Sequence, residues 1–216
     1  MITEINIPTT QWPGFLNPVL GPQKTFRAII EAMARPGQLI RIKCKVNRPE
    51  MLNLASAAVC LTLLDDETPL WTDLSWNCSA INWFQVHCGC SLVTEPCMAD
   101  FALITRPADM PPLDDFRIGN EQHPESAATL IVEVEGFNDA NGKVLGMPGI
   151  KPTTHFAPEG IAGDFWEQWQ LQAAFFPLGV DILFTCGDRL AALPRTTELC
   201  HSTPRTKKTK KRTVLT

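Results

Sequence analysis

Residues 176–197 read FPLGVDILFTCGDRLAALPRTT, and this stretch carries the strongest fold signal in the chain. Residues 180–185 form a nearly continuous apolar run, which is typical of a strand buried on both faces at the centre of a sheet. The next four residues, CGDR, predict a tight turn. Residues 190–193 return as a second strand that Pro194 ends, so the stretch predicts a pair of strands inside a sheet.

Helical and strand patterns mix along the rest of the chain, and no internal repeat is visible. Strands are predicted at residues 39–46, 68–72, 84–87, 100–105 and 128–134, and at the start of 143–150. Helices are predicted at residues 23–34 and 49–64, shortly before Asn82, at 111–116, and after the capping residue Asp164. This mixture predicts one α/β domain, a three-layer sandwich around a mixed central sheet.

The first predicted helix has a regular apolar face. Its expected core residues follow the i, i+3, i+4, i+7 spacing: Phe26, Ile29, Ile30 and Met33. Arg27 and Glu31 lie four residues apart and predict an ion pair on the outer face. The sequence Arg-Pro-Gly at 35–37 ends the helix, because proline disfavours helical geometry in the residue before it.

Length and charge divide the chain into three parts. Its 216 residues, 44% of them hydrophobic, suffice for one sizeable domain at residues 22–200. Residues 1–21 are rich in proline and glycine and predict an irregular N-terminal arm, docked by Phe15, Leu16 and Val19. Residues 201–216 predict a basic, disordered tail, since six of the 19 basic residues fall between 205 and 212. The remaining body is acidic, which makes it a poor surface for nucleic acid.

The sequence shows no pattern of a membrane span or of a signal peptide, and this, with the cysteine usage, predicts a soluble cytoplasmic protein that does not bind a membrane. The longest largely apolar run, residues 54–64, is shorter than the roughly 20 residues that a membrane-spanning helix needs. The N-terminus lacks the basic start and the apolar stretch of a signal peptide. The eight cysteines are therefore expected to be reduced and partly buried rather than paired in disulfides.

Three groups of residues could carry chemistry, and each has a structural alternative that we favour. A compact set of metal-ligand types, His87, Cys88, Cys90 and Cys97, lacks the paired CxxC spacing of zinc sites, so we expect reduced thiols and no metal. The acidic residues at 65–67 and 114–115 are interpreted as solvated turns rather than as acid–base or magnesium sites. The loop at 146–151 could cradle a phosphate, but it matches neither GxGxxG nor the Walker pattern, so we favour a structural turn.

Arg195 is the strongest single candidate for a ligand contact. Its planar guanidinium suits a phosphate or phosphonate oxyanion, and a structural ion pair with a nearby aspartate, Asp181 or Asp188, at the end of the sheet is an equal alternative. Arg189 and Gly149 are further candidates for structural or anion-contacting roles. We predict no catalytic residue, no cofactor site and no metal site.

Residues 176–197 resemble the C-terminal signature of the PhnH family, whose members are subunits of the bacterial carbon–phosphorus lyase core complex. Four further segments agree in order with that family: TFRAIIEAMARPG at 25–37, CLTLLDDETPLW at 60–71, PESAATLIVEV at 124–134 and GMPGI at 146–150. Met147 departs from the family, which more often has glycine before Pro-Gly. The resemblance covers roughly residues 15–200.

The resemblance implies a fold, partners and a role. The fold would resemble the large domain of pyridoxal-phosphate-dependent transferases, without the cofactor or its lysine. The protein would form a homodimer alone and join PhnG, PhnI and PhnJ in the cell. With PhnG, PhnI and PhnL it would support α-D-ribose 1-methylphosphonate 5-triphosphate synthase activity, in which a phosphonate displaces adenine from ATP. Radical cleavage of the C–P bond would belong to PhnJ and its iron–sulfur cluster, so this chain would be a non-catalytic accessory subunit.

Two other functions stay open. One is a stand-alone small-molecule transferase that uses Arg195 and the 146–151 loop to bind a phosphorylated ligand. The other is a nucleic-acid-binding module that acts through the basic tail at 204–216.

Overall fold

A six-stranded mixed sheet organises the structure, a computed structural model that describes residues 14–138, 142–147 and 150–200. The helices of these residues are α1 (Leu20–Ala34), α2 (Leu54–Leu63), α3 (Ser79–His87) and α4 (Phe165–Ala173). The strands are β1 (Ile40–Arg41), β2 (Leu70–Thr72), β3 (Phe101–Ile104), β4 (Thr129–Glu133), β5 (Gly136–Phe137), β6 (Lys143–Met147), β7 (Ile150–Phe156), β8 (Pro158–Glu159), β9 (Asp181–Cys186), β10 (Arg189–Leu193) and β11 (Glu198–Cys200). Short 3-10 helices occupy Pro96–Met98, Pro107–Asp109, Leu113–Asp115 and Pro124–Ser126.

The strand order of the large sheet is β1-β10-β9-β4-β3-β2. Neighbours from β2 to β9 run parallel, whereas β10 and β1 are antiparallel additions at one side. The predicted α/β class and mixed central sheet are confirmed. The pair of strands predicted from residues 180–193 is also confirmed, and its turn uses Gly187, whose φ of 61° lies in the left-handed region that glycine tolerates.

Both faces of the large sheet are covered by apolar layers. On one face Leu103, Ile131 and Leu183 contribute to a core with residues of α1, α2 and α3. The neighbouring strand residues, such as Leu130 and Ile182, contribute to a second core with α4 and a small sheet of order β11-β6-β7. Two-sided burial explains why β4 and β9 are apolar at nearly every position.

Helix α2 lies in the first core, as its apolar surface predicts. Residues Ala55, Ser56, Ala57, Ala58, Val59 and Cys60 are all buried. The helix begins later than predicted, because the Asn53 side chain caps it by accepting a hydrogen bond from the Ser56 backbone N–H at 2.8 Å. None of the helices in the described residues has both the length and the apolar surface that a bilayer-spanning segment requires.

Helix α1 is present, but the predicted core face is partly wrong. Phe26 and Ile30 are 49% and 54% exposed. The residues buried against α2 and β10 are instead mostly small: Gly21, Thr25, Ala28, Ile29 and Ala32. Small side chains allow the helix to approach its neighbours closely, and this packing overrides the face of the larger apolar residues. The predicted Arg27–Glu31 pair is replaced by an exposed pair of Arg35 with Glu31 at 2.9 Å.

Two local predictions are corrected. The strand expected at 84–87 is the last part of α3, whose buried residues Ala80, Trp83 and Phe84 follow helical spacing. The strand expected at 39–46 forms a ladder only over β1, with an isolated bridge between Phe15 and Val46. Phe15 is buried and bridges to Val46, as expected of a docking residue, whereas Leu16 and Val19 are exposed.

Substitution of Leu183 by alanine tests the central position of β9. Leu183 is 1% exposed, and the cavity should lower the free energy of unfolding by about 2–5 kcal/mol. The same substitution at Leu171, which is 67% exposed on α4, is the matched control and should cost less than about 0.5 kcal/mol. Urea denaturation measures both, and equal losses at the two sites would contradict the assigned burial.

Candidate functional site

An open cleft lies at the carboxyl edge of the large sheet. The parallel strands β2, β3, β4 and β9 all end at this edge, and α2 begins there. The cleft has a volume of about 470 Å³, and the side chains and backbone that line it include Asn53, Arg106, Asp109, Glu133, Glu135 and Gly187. Open α/β sheets bind their ligands outside the carboxyl ends of their parallel strands, which makes this cleft the candidate functional site.

Glu133, the last residue of β4, connects the sheet to the start of α2. Its carboxylate Oε1 accepts a hydrogen bond from the Asn53 backbone N–H at 2.8 Å and a short one from the Ser56 hydroxyl. The Asn53 side-chain amide also donates to Thr185 Oγ1 at 3.2 Å. The first N–H groups of a helix carry partial positive charge, which stabilises the ionised form of Glu133 and so opposes the effect of its burial.

Burial gives Glu133 an altered acidity. Removal from solvent raises the pKa of its carboxyl above the ordinary value of 4.5, and the hydrogen bonds from Ser56 and Asn53 offset part of that rise. A carboxyl with a raised pKa in a cleft can exchange a proton or accept hydrogen bonds from a polar ligand. Glu133 is therefore the side chain in the cleft best suited to either task.

Asp73, which follows β2, fixes the loop after β3. Its carboxylate accepts hydrogen bonds from the Thr105 backbone N–H at 3.0 Å, the Thr105 hydroxyl at 2.9 Å and the Arg106 backbone N–H at 2.8 Å. The Arg106 guanidinium donates to the Asp73 carbonyl at 3.0 Å and remains 64% exposed at the rim of the cleft. Among the residues that line the cleft, Arg106 carries a positive charge, whereas Asp109, Glu133 and Glu135 carry carboxyl groups. Because acidic groups outnumber basic ones, the cleft favours a ligand that donates hydrogen bonds over a phosphate.

The sequence prediction missed Glu133, Asp73 and Arg106. A signal for them existed, because each lies at or just after the end of a predicted strand: 128–134, 68–72 and 100–105. Only the parallel strand order shows that these three ends meet at one edge.

Arg195, predicted either to contact an anion or to form a structural ion pair, lies at the opposite, amino edge of the sheet. Its Nε and Nη2 donate to Asp181 Oδ2 at 3.1 and 2.5 Å, and its backbone N–H donates to Oδ1 at 2.8 Å. Its Nη1 donates to the Pro124 carbonyl at 2.6 Å. These bonds join the start of β9, the end of β10 and the segment before β4 that contains Pro124. The two side chains are only 14% and 15% exposed.

The other predicted contacts are dispersed. Arg189 lies at the carboxyl edge, where its guanidinium stacks 5.5 Å from the centre of the Phe137 ring and its Nη2 donates to Cys186 Sγ at 3.8 Å. Gly149 lies outside the described residues. Asp65, Asp66 and Glu67 are exposed in a turn, and Asp114 and Asp115 are exposed in a 3-10 helix.

The cysteines near His87 differ in their exposure to solvent. Cys88 and Cys90 are buried just after α3, whereas Cys97 is exposed in a 3-10 helix. Burial raises the pKa of Cys88 to about 12, with the Cys90 and Asp65 charges adding to the rise, and burial also raises the pKa of Cys90. Within residues 14–138, 142–147 and 150–200, no three His, Cys, Asp or Glu side chains are arranged to hold a metal ion.

Comparison with known proteins gives a family match and two relatives. The family model described as bacterial phosphonate metabolism protein (PhnH) matches residues 13–200. The α-D-ribose 1-methylphosphonate 5-triphosphate synthase subunit PhnH of Rhizobium meliloti (strain 1021) is 34% identical over 186 residues, which cover 86% of this chain and 93% of that protein. A putative C-P lyase subunit protein, HtxG, of Stutzerimonas stutzeri is 36% identical over 83 residues, covering 38% of this chain and 43% of that protein.

Replacement of Glu133 by glutamine tests the raised pKa. Since the folded protein favours the protonated carboxyl, the stability that Glu133 contributes is complete below its ordinary pKa of 4.5 and is lost as pH rises through the raised value. The amide does not titrate, so the unfolding free energy of Glu133→Gln should increase relative to that of the wild type as the pH rises from below 4.5 through the raised pKa of the glutamate. Urea denaturation across this range measures the difference.

If the difference in unfolding free energy between Glu133→Gln and wild type does not change with pH, the raised pKa of Glu133 is contradicted. Glu133→Ala serves as the comparison, because it leaves the Asn53 N–H and the Ser56 hydroxyl without this acceptor. It should cost about 1–3 kcal/mol even at low pH, where the glutamate is neutral.

Replacement of Arg195 by alanine tests the ion pair at the amino edge. Loss of the guanidinium leaves Asp181 largely buried and without its charged partner, which should cost roughly 3–5 kcal/mol. Arg35→Ala removes the exposed pair with Glu31 and should cost less than about 1 kcal/mol. Thermal and urea unfolding compare the variants, and a small loss for Arg195→Ala would show that the pair does not hold the sheet edge.

Proposed function

The chain belongs to the PhnH family of bacterial phosphonate metabolism proteins, and from this membership we propose that it is an accessory subunit of a carbon–phosphorus lyase complex. The observation that carries the proposal is the extent of the family match, which spans all of the described fold rather than one motif. The second relative, itself named a putative C-P lyase subunit, supports the same role.

The proposed reaction is the transfer of the ribose triphosphate moiety of ATP to an alkylphosphonate, with adenine as the leaving group. The name of the Rhizobium meliloti relative, a synthase subunit, supports this activity. We assign this chain a supporting role beside counterparts of PhnG, PhnI and PhnL. The position of Arg195 favours that role, since three guanidinium nitrogens donate to acceptors within the protein.

The proposal also covers the oligomeric state, the cellular compartment and a structural likeness to another protein family. We place the chain in the cytoplasm, where ATP is available, as a homodimer when isolated and bound to counterparts of PhnG, PhnI and PhnJ in the complex. A mixed sheet with parallel central strands and helices against it supports a likeness to the large domain of pyridoxal-phosphate-dependent transferases.

Exposed apolar side chains around α4 give physical support for a subunit role. Leu171, Phe175 and Phe176 are 67%, 65% and 59% exposed. Leu171 and Phe175 also line an apolar groove of about 420 Å³ whose walls include Leu113 and Leu178. Large apolar groups clustered on a surface favour contact with another protein.

Co-expression with tagged counterparts of PhnG, PhnI and PhnJ tests the proposal. We expect the chain to co-purify with the tagged subunits, and we expect synthase activity with ATP and methylphosphonate to require it when PhnL is added. Omission of the chain is the matched control. Failure to associate when all partners are present, or full synthase activity without the chain, would contradict the proposal. Turnover of ATP and methylphosphonate by the isolated chain would favour the stand-alone transferase instead.

A further inference from the structure

An apolar groove, here called the α4 groove, follows the exposed side of helix α4. It has a volume of about 420 Å³, and its walls include Leu113, Leu171, Phe175 and Leu178. Leu171 and Phe175 lie four residues apart and are 67% and 65% exposed. The helix is already fixed to the core by its other side, where Trp169 is buried, so these side chains are not needed for that packing. Large apolar groups on a groove of this kind favour contact with a further segment of chain.

The rim of the α4 groove is acidic. Asp114 lines it, and Asp164 accepts a hydrogen bond at 2.9 Å from Gln168, another residue of its wall. Glu167 follows Asp164 in the first turn of the same helix. All three carboxylates are exposed, and residues 152–188 contain five acidic residues but neither lysine nor arginine. The groove therefore favours an apolar segment that is flanked by positive charge.

The C-terminal end of the chain has this composition. Residues 205–212, RTKKTKKR, carry six positive charges, and an apolar pair, Val214 and Leu215, follows directly. No acidic residue follows Glu198, so this positive charge is not offset within the segment. Residues 201–216 lie outside the described part of the chain. Their sequence combines the two groups that the groove favours, positive charge and aliphatic side chains.

The chain leaves the described fold beside α4. Trp169 of that helix donates from Nε1 to the Thr197 carbonyl at 3.1 Å, and β11, which ends at Cys200, contacts α4. A helix with its side chains is about 10–12 Å across, whereas a coil of 13 residues has a root-mean-square span of about 20 Å. Residues 201–213 are therefore long enough to bring the apolar pair to the groove on the same helix.

We propose that residues 205–216 dock on the α4 groove of their own chain. The apolar pair packs on Leu171 and Phe175, and the basic run lies along the acidic rim. Because the segment is tethered, its effective concentration is on the order of 1 mM, and a contact with a Kd of about 0.1 mM is then closed about ten times as often as it is open. The contact lies within one chain and does not depend on the proposed function. A neighbouring subunit that binds this groove must first displace the segment.

The same features argue against two other occupants. The N-terminal segment, residues 1–13, joins the fold next to Phe15, which packs in the core on the opposite face of the large sheet from α4. A second copy that paired groove to groove would bring two acidic rims together, which like-charge repulsion opposes. The C-terminal segment meets neither obstacle, because it starts beside α4 and carries the opposite charge.

Trypsin digestion of the full chain tests the docking, because trypsin cleaves after the lysines and arginines of residues 205–212. A docked segment is cut only when it opens, so cleavage should be about tenfold slower than cleavage of a synthetic peptide of residues 201–216. Mass spectrometry follows both reactions. Added salt should narrow the difference, since it screens exposed charges, and the peptide is the control at each salt concentration. Cleavage of the wild-type segment at the rate of the peptide would overturn the proposal.

Two double variants assign the contact to its two partners. Val214→Ser with Leu215→Ser removes the apolar pair and keeps every trypsin site, and it changes only residues beyond the family match at 13–200, so the fold should be unaffected. Leu171→Ser with Phe175→Ser removes the exposed anchors of the groove. Each should raise the cleavage rate to nearly that of the peptide, and wild-type protection in both variants would show that the docking is wrong.

Phe26→Ser with Ile30→Ser, on the exposed side of α1, is the matched control and should leave the protection of the C-terminal segment unchanged. Circular dichroism and thermal melting check that all variants are folded. Protection that falls on dilution of the wild type would assign the segment to a second copy and contradict docking within one chain. Protection that arises only after addition of the tagged subunits or of single-stranded RNA would also contradict it, and the subunit role would stand in the first case.

Discussion

The parallel pairing of β4 with β9 is the constraint on which the rest of the structure depends. Both strands are buried on both faces, so their side chains hold the helical layer on one side and α4 with the small sheet on the other. The register also places Glu133 opposite Thr185 at the ends of the two strands. Asn53 contacts both residues while capping α2, so a shift of one residue would remove this junction as well as the core packing.

The two edges of the sheet have different tasks. At the amino edge, Arg195 and Asp181 are shielded from solvent, and their hydrogen bonds join β9, β10 and a distant loop. At the carboxyl edge, Asp73 holds one loop in place, while Glu133 and Arg106 face an open cleft. Of the two roles predicted for Arg195, anion contact and structural ion pair, its contacts match the second, and the polar side chains available to a ligand lie at the other end of the strands.

Two exposed apolar surfaces suit contact between this chain and other subunits. Apolar groups are exposed on α1 and around α4, which lie against opposite faces of the large sheet. Helix α1 also lines a groove that contains Lys24, Lys43 and Lys45, whereas the groove beside α4 is mostly apolar. Two such surfaces allow one chain to contact two different neighbours, and their different chemistry allows each neighbour to select its own site.

The sequence by itself determined the β9–β10 pair, strand β4, the buried helix α2 and the family, because these depend on local apolar patterns and on motifs in a fixed order. It did not determine which face of α1 is buried, since the close approach to α2 and β10 selects small residues over Phe26 and Ile30. A short apolar run such as 84–87 suits a strand or a helix, and packing of Trp83 and Phe84 selected the helix. Glu133, Asp73 and Arg106 are far apart in the chain, and only the parallel order of β2, β3 and β4 brings them to one edge.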